Sequence, residues 1–264
     1  MTDPRTRADG IARSIRSIAE PQLRKSMVLL ILAETPARDL APALDVLAAR
    51  AEQAEPEARE ALLSIVDGFN ADGSEERVQR LREEAVGEGL LALERLTRLP
   101  VEVAPPSSDL VPARAKEPPD YGHGRKLTLG ERKSLARKPD RQMMMRLLAD
   151  PHPDVIRFLL INPRLTEDDV LRIAAKRPGR RDTLVEIARS PRWAHSARIR
   201  LALILNPETP NEISTPLLGL LVRQELKLVS EASPVSSTIR ALCREHLERR
   251  PPGEVDGDTD SLLQ

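Results

Sequence analysis

Between residues 138 and 234 short leucine-rich segments alternate with X-Pro dipeptides: Lys138-Pro139, Asp150-Pro151, Asn162-Pro163, Arg177-Pro178, Ser190-Pro191, Asn206-Pro207 and Ser233-Pro234. Proline has no amide donor and its ring clashes with the preceding turn, so a helix rarely runs through it. The residue before it is pushed towards extended geometry. A chain punctuated in this way is limited to short helices with breaks at set places. Taken in pairs, the prolines recur at 27, 29 and 27 residues, from Pro151 to Pro178, Pro207 and Pro234. That is the length of one helix-turn-helix unit in a stacked array.

Two units match in detail. Leu159-Leu160-Ile161-Asn162-Pro163 parallels Leu203-Ile204-Leu205-Asn206-Pro207. Thr166 with Asp169 follows the first, close to a capping box. Thr209-Pro210 with Glu212 follows the second and reads as an N-cap, a proline at the first helical position and a capping glutamate. Each Asn stands at a helix-to-helix turn, where its side chain is expected to bond local backbone groups. Apolar residues such as Val170, Ile173 and Ala174 lie at helical spacing. One such stripe cannot be buried alone, and stacking neighbours would bury it in a continuous core.

The run Leu147-Leu148-Ala149-Asp150-Pro151-His152-Pro153-Asp154-Val155-Ile156-Arg157, with Asn162-Pro163 and Leu165-Thr166, resembles leucine-rich repeat variant proteins. The resemblance spans about residues 127–247. It implies a right-handed α-solenoid of short alternating helices, related in style to HEAT arrays. The period here is longer and less regular than in that family. The cysteine cluster that binds an iron–sulfur centre in some members is absent.

The core must be aliphatic, because the chain has only Phe69, Tyr121, Phe158 and Trp193 as aromatics. With no alternating strand-length run in view, the fold class is all-α. Cys243 is the only cysteine, which excludes a disulfide framework. The first ten residues are charged, and the apolar stretch Met27 to Ala33 is far too short to span a bilayer. The expected location is the cytoplasm, without membrane insertion.

A net charge of zero hides an asymmetry. Residues 122–250 carry 25 Lys and Arg against 15 Asp and Glu, residues 1–121 carry 16 against 22, and the last fourteen carry four acids and no base. The expected organisation is an acidic helical module at 1–98, a Pro-rich linker at 99–124, a basic α-solenoid at 125–249 and an acidic disordered tail at 250–264. Helices are expected over 8–18, 22–34, 38–53, 57–67 and 74–98, with Ser74 as an N-cap after the Asn70–Gly73 loop. They form either a small bundle or degenerate repeats continuing the array.

Catalytic motifs are missing. There is no GxSxG, HExxH, Walker or GxGxxG sequence. Cys243 and His246, three apart on one helix, make two ligands of a metal site that has no third. Of Met143-Met144-Met145, at least one must point away from a helical core, and methionine adapts to partners. No cofactor or metal is expected, and the chain reads as a non-enzyme. Its cations cluster: Lys176, Arg177, Arg180 and Arg181 around one turn, then Arg189, Arg192, Arg198 and Arg200, after a basic lead-in from Arg125 to Arg141. Stacked turns would align them as a stripe. The expected function is a protein–protein interaction scaffold or adaptor with an anionic protein partner. Sequence-independent nucleic-acid binding through the basic face is the alternative.

Overall fold

The computed structural model describes residues 3–99, 118–122, 124–138 and 140–250. Over these residues the chain is all α, with no strand. The helices are α1 (Pro4–Arg16), α2 (Pro21–Glu34), α3 (Ala37–Glu52), α4 (Pro56–Phe69), α5 (Glu75–Glu88), α6 (Leu91–Thr97), α7 (Leu129–Ala136), α8 (Arg141–Leu147), α9 (Pro153–Leu160), α10 (Glu167–Ala175), α11 (Arg181–Arg189), α12 (Pro191–Ala194), α13 (Ala197–Leu205), α14 (Asn211–Leu218), α15 (Arg223–Glu231) and α16 (Ser237–Arg249). Among the described residues no helix is long and apolar enough to cross a membrane.

Proline sets the starts and the stops. Pro4, Pro21, Pro56, Pro153 and Pro191 stand in the opening turn of a helix, where an amide has no intrahelical partner to lose. Breaks fall at Pro151, Pro163, Pro178, Pro191, Pro207 and Pro234. Pro139 lies outside the described residues. The helix expected over 74–98 is two helices. Gly89 takes the left-handed conformation (φ 66°) and ends α5, and the Leu90 N–H closes on the Ala85 carbonyl at 2.8 Å. Ser74 does not cap α5 through its side chain. Its hydroxyl donates back to the Phe69 and Ala71 carbonyls at 2.5 and 2.7 Å, closing the loop.

Packing groups the helices into two compact units, Met1–Leu99 with Asn211–Gln264, and Pro100–Pro210. The basic module expected at 125–249 is therefore divided after residue 210, and α14 to α16 pack with the N-terminal helices. The reason is apolar surface. Residues 213–218 of α14 are all buried, against α6 and α16. A Cβ on Gly219 would already sit 3.2 Å from Leu96 of α6.

In the first unit α3 is the centre, packed by α1, α4, α5 and α6. Its buried face is Leu40, Ala41, Ala43, Leu44, Leu47, Ala48 and Ala51, and the alanines let neighbouring backbones come close. Polar ties cross this core. Arg95 of α6 makes a two-point pair with Glu52 of α3 at 2.8 and 2.6 Å, both side chains buried. Arg250, buried at the end of α16, donates to the carbonyls of Ala51, Gly219 and Leu221 at 2.6–3.0 Å.

In the second unit α9 packs on α7, α11 on α9, and α13 on α10. Several side-chain bonds in this unit join residues 27 to 33 apart: Arg141 to Asp169, Arg157 to Glu186, Arg177 to Leu205, Arg192 to Asn162 and Leu165, Ser196 to Glu167 and Trp193 to Leu160. Others are shorter, with Lys133 to Asp154 at 21 and Asn162 to Lys138 and Ala136 at 24 and 26. The longer set lies near the proline period of 27 to 29. The core is aliphatic, with Leu147, Val155, Ile156, Leu159, Leu184, Ile187, Ile199 and Leu203 buried together with the indole of Trp193. Tyr121, expected in the linker, is buried here and its hydroxyl donates to Asp150. The rest of the expected linker from 100 to 117, His123, and the tail from 251 onwards lie outside the described residues.

Candidate functional site

Asn162 and Asn206 organise the turns of the second unit. The Asn162 amide donates to the Ala136 and Lys138 carbonyls at 2.8 and 2.9 Å, and its Oδ1 accepts from the Arg164 N–H at 3.0 Å. Asn206 repeats the device, donating to Ala174 and Lys176 at 2.7 and 3.1 Å and accepting from Glu208 at 3.1 Å. Each asparagine thus shapes its own turn, as the sequence predicts. Each also satisfies the last carbonyls of the helix packed against it, α7 in one case and α10 in the other, which the sequence does not reveal. Both side chains are buried, and such carbonyls have no partner within their own helix.

The two helix starts after these turns differ. Thr166 and Asp169 form the expected capping box, each accepting from the other's backbone N–H. Thr209 does not cap. Its hydroxyl donates to the Leu203 carbonyl at 2.5 Å, holding the end of α13, and Pro207 is exposed beside it, as Pro163 is beside Asn162.

The eight cations expected as one stripe divide between the two ends of α11. Lys176, Arg177, Arg180 and Arg181 stand at its N-terminal turn. Arg189 ends α11, Arg192 lies in α12, and Arg198 and Arg200 stand in the first turn of α13, so this group begins about eight residues or roughly 12 Å of helix away. The second group is engaged within the fold. Arg192 donates to the Asn162 and Leu165 carbonyls at 2.9 and 3.0 Å with its guanidinium over Trp193. Arg200 is buried and donates to Ala194 and His195. Arg198 faces Asp168 at 3.3 Å and Glu167 at 3.7 Å, and Arg189 is half-buried. In the first group Arg177 donates one bond to Leu205 at 2.7 Å. Lys176, Arg177 and Arg181 are exposed, and Arg180 is half-buried with a covered Nε that finds no acceptor among the described residues.

Lys176 and Arg180 line a small cleft of about 90 Å³ between the α8–α9 and α10–α11 turns. Leu148, Ala149, Ile173 and Pro178 give it apolar walls, and Gly179, Thr183 and Asp150 complete it. Sites for drug-sized ligands run to roughly 300–1,000 Å³, so this cleft has room for a side chain, not a whole small molecule. Asp150 brings no free charge. Its carboxylate accepts from Arg132 at 2.6 and 2.7 Å, from the His152 N–H at 2.8 Å and from Tyr121. Burial and that carboxylate push the Tyr121 hydroxyl well above its ordinary range, which keeps it a donor.

The remaining candidates from the sequence are structural. Cys243 and His246 are both fully buried in the first unit. Burial pushes the thiol up to about 12, which keeps it protonated and a poor nucleophile. Burial, with Arg250, Arg95, Arg249 and Arg98 nearby, pulls His246 down to about 3, which keeps the imidazole neutral. Glu52 lies 3.7 Å from its Nδ1 but is committed to Arg95. Among the described residues no three His, Cys, Asp or Glu side chains come together as a metal site would need. Of the methionines, Met144 is buried, Met143 half-buried and Met145 exposed, the outward residue that three consecutive helical positions require.

Sequence reasoning missed two features of this unit. Thr128 and Glu131 form a second capping box at the start of α7, written in the sequence as T-x-x-E. The buried Arg132–Asp150–Tyr121 cluster has no local signature, because its members are 18 and 29 residues apart. Comparison with protein-family models, with curated proteins and with solved structures gives no match, so the residues themselves carry the functional argument.

Proposed function

We propose that this chain is a non-catalytic interaction protein, a scaffold or adaptor whose second unit is a short α-solenoid of the leucine-rich repeat variant or HEAT-like kind. The observation that supports it most is the offset between packed helices. α11 leans on α9 and α13 on α10, each starting 28 to 30 residues after its neighbour, and the same asparagine device closes α7 and α10. A stack of this kind builds an extended surface from repeated turns. Residues 118–210 carry 19 Lys and Arg against 11 Asp and Glu. Arg125, Arg132, Lys133, Arg141, Arg157 and Arg198 pair with acids within the unit, and Lys176 and Arg177 are exposed at the α10–α11 turn. An anionic protein surface fits it.

Binding to the nucleic-acid backbone is the second reading, favoured by the same excess. The aromatics weigh against single strands, where bases stack on exposed rings. Trp193 and Tyr121 are buried, and Arg137 covers Phe158 at 4.0 Å. The test is an affinity pull-down in the native host with mass spectrometry, on nuclease-treated and untreated lysate. The scaffold reading expects the same few proteins from both. Loss of every partner on nuclease treatment would favour the nucleic-acid reading and sink the scaffold.

A further inference from the structure

The cleft between the α8–α9 and α10–α11 turns joins apolar walls from both turns (Leu148, Ala149, Ile173, Pro178) to a cationic rim from the second (Lys176, Arg180), with room for one side chain. Exposed Arg177 extends the positive rim, and Arg181, also exposed, stands beside it with contacts of its own. The carboxylates nearby are Asp150, neutralised by Arg132, exposed Asp182, and half-buried Glu208, whose Oε2 lies about 3.3 Å from the place a Gly179 Cβ would take. Cations thus dominate the open side. The turn is also held in place. The Lys176 carbonyl is bonded by Asn206, and Arg177 is tied to Leu205, so it presents its rim with little ordering left to do. Arg180 is half-buried, so the exposed part of its guanidinium can meet an incoming carboxylate.

On these grounds, and resting on the scaffold reading above, we infer that this cleft is a docking site for an acidic peptide segment that inserts one apolar side chain between Ala149 and Pro178 and lays its carboxylates along Lys176, Arg177, Arg180 and Arg181. A phosphate backbone offers nothing to apolar walls. A purely acidic peptide would leave them empty. The combination selects an acidic segment with an aliphatic residue in it.

The probe is a fluorescein-labelled twelve-residue peptide of alternating Glu and Leu, titrated against the full chain by fluorescence anisotropy at about 0.1 M salt, where exposed charges are screened beyond about 10 Å. Binding should be saturable and stronger than for an all-Glu peptide of the same length. Lys176→Glu with Arg180→Glu should weaken it about tenfold or more. Ala149→Phe, which fills the cleft from an exposed position and alters no charge, should weaken it comparably. Arg164→Glu with Arg172→Glu, exposed cations outside the cleft with the same total charge change, should leave it within about twofold. Circular dichroism checks that each variant is helical. Equal affinity for the all-Glu peptide, an equal loss in the Arg164/Arg172 variant, or tighter binding of duplex DNA that the cleft substitutions abolish would each overturn the site. If the peptide fails while the nuclease-treated pull-down still returns proteins, only this site is wrong. If both come back empty, the scaffold reading falls with it.

Discussion

Asn162 and Asn206 each hold three bonds, two of them to another helix. Replacement by Leu strands the last carbonyls of α7 or α10 in a buried place, at about 1–3 kcal/mol for each unmade group. Replacement by Asp keeps the oxygen that shapes the local turn and removes the donor. The expected outcome is a loss of roughly 2 kcal/mol or more for Leu and nearly as much for Asp. The midpoint of urea unfolding read by Trp193, the only tryptophan and in the same unit, measures both. An Asp variant as stable as wild type would show that the inter-helix bonds carry little. His246 gives a second expectation at this scale. Its folded value of about 3 lies below the ordinary 6.5, so below pH 6.5 the unfolded chain takes up a proton that the folded chain does not. Stability is therefore full above pH 6.5 and falls as pH drops towards 3, by up to about 1.4 kcal/mol per pH unit. His246→Gln should flatten the thermal-melting profile of helicity between pH 7 and 5. A profile as steep as wild type would place the acid sensitivity elsewhere.

At the scale of elements, Arg95 and Glu52 join α6 to α3 through a pair taken out of water. Removing one partner leaves the other charge buried, which typically costs about 3–5 kcal/mol, whereas exchanging both for apolar residues can be neutral. Glu52→Leu should therefore destabilise strongly, and Glu52→Leu with Arg95→Met should recover most of the loss in urea unfolding followed by circular dichroism. Additive losses would mean that the pair is not the coupling. Helix existence was legible because proline, capping sequences and apolar spacing act locally. Gly89 lies inside the helix expected over 74–98, since a lone glycine in a helical pattern is tolerated, and only its left-handed backbone shows that it ends α5. The fate of 211–250 was not legible at all. X-Pro spacing continues through Pro234 unchanged, and which apolar face α14 covers is decided by distant residues such as Leu96. The cleft was half legible. Its cations cluster in sequence, but half of its apolar wall, Leu148 and Ala149, comes from a turn some 28 residues earlier.

Across the whole chain, charge follows the packing units. Residues 118–210 carry eight more bases than acids, while 3–99 and 211–250 together carry 20 against 23. The basic unit, on this reading, receives an anionic protein at the turn before α11. Exposed Lys227 falls in the first unit and Lys126, Lys133, Lys138 and Lys176 in the second, so chemistry that joins amines to carboxylates without a spacer can locate the contact. Such cross-linking in the native host, followed by mass spectrometry of the purified complex, should give links from Lys176 to Asp or Glu of one or a few partner proteins, fewer with added salt. Links confined to Lys227, or complexes that contain nucleic acid and no protein, would rule the anionic protein out.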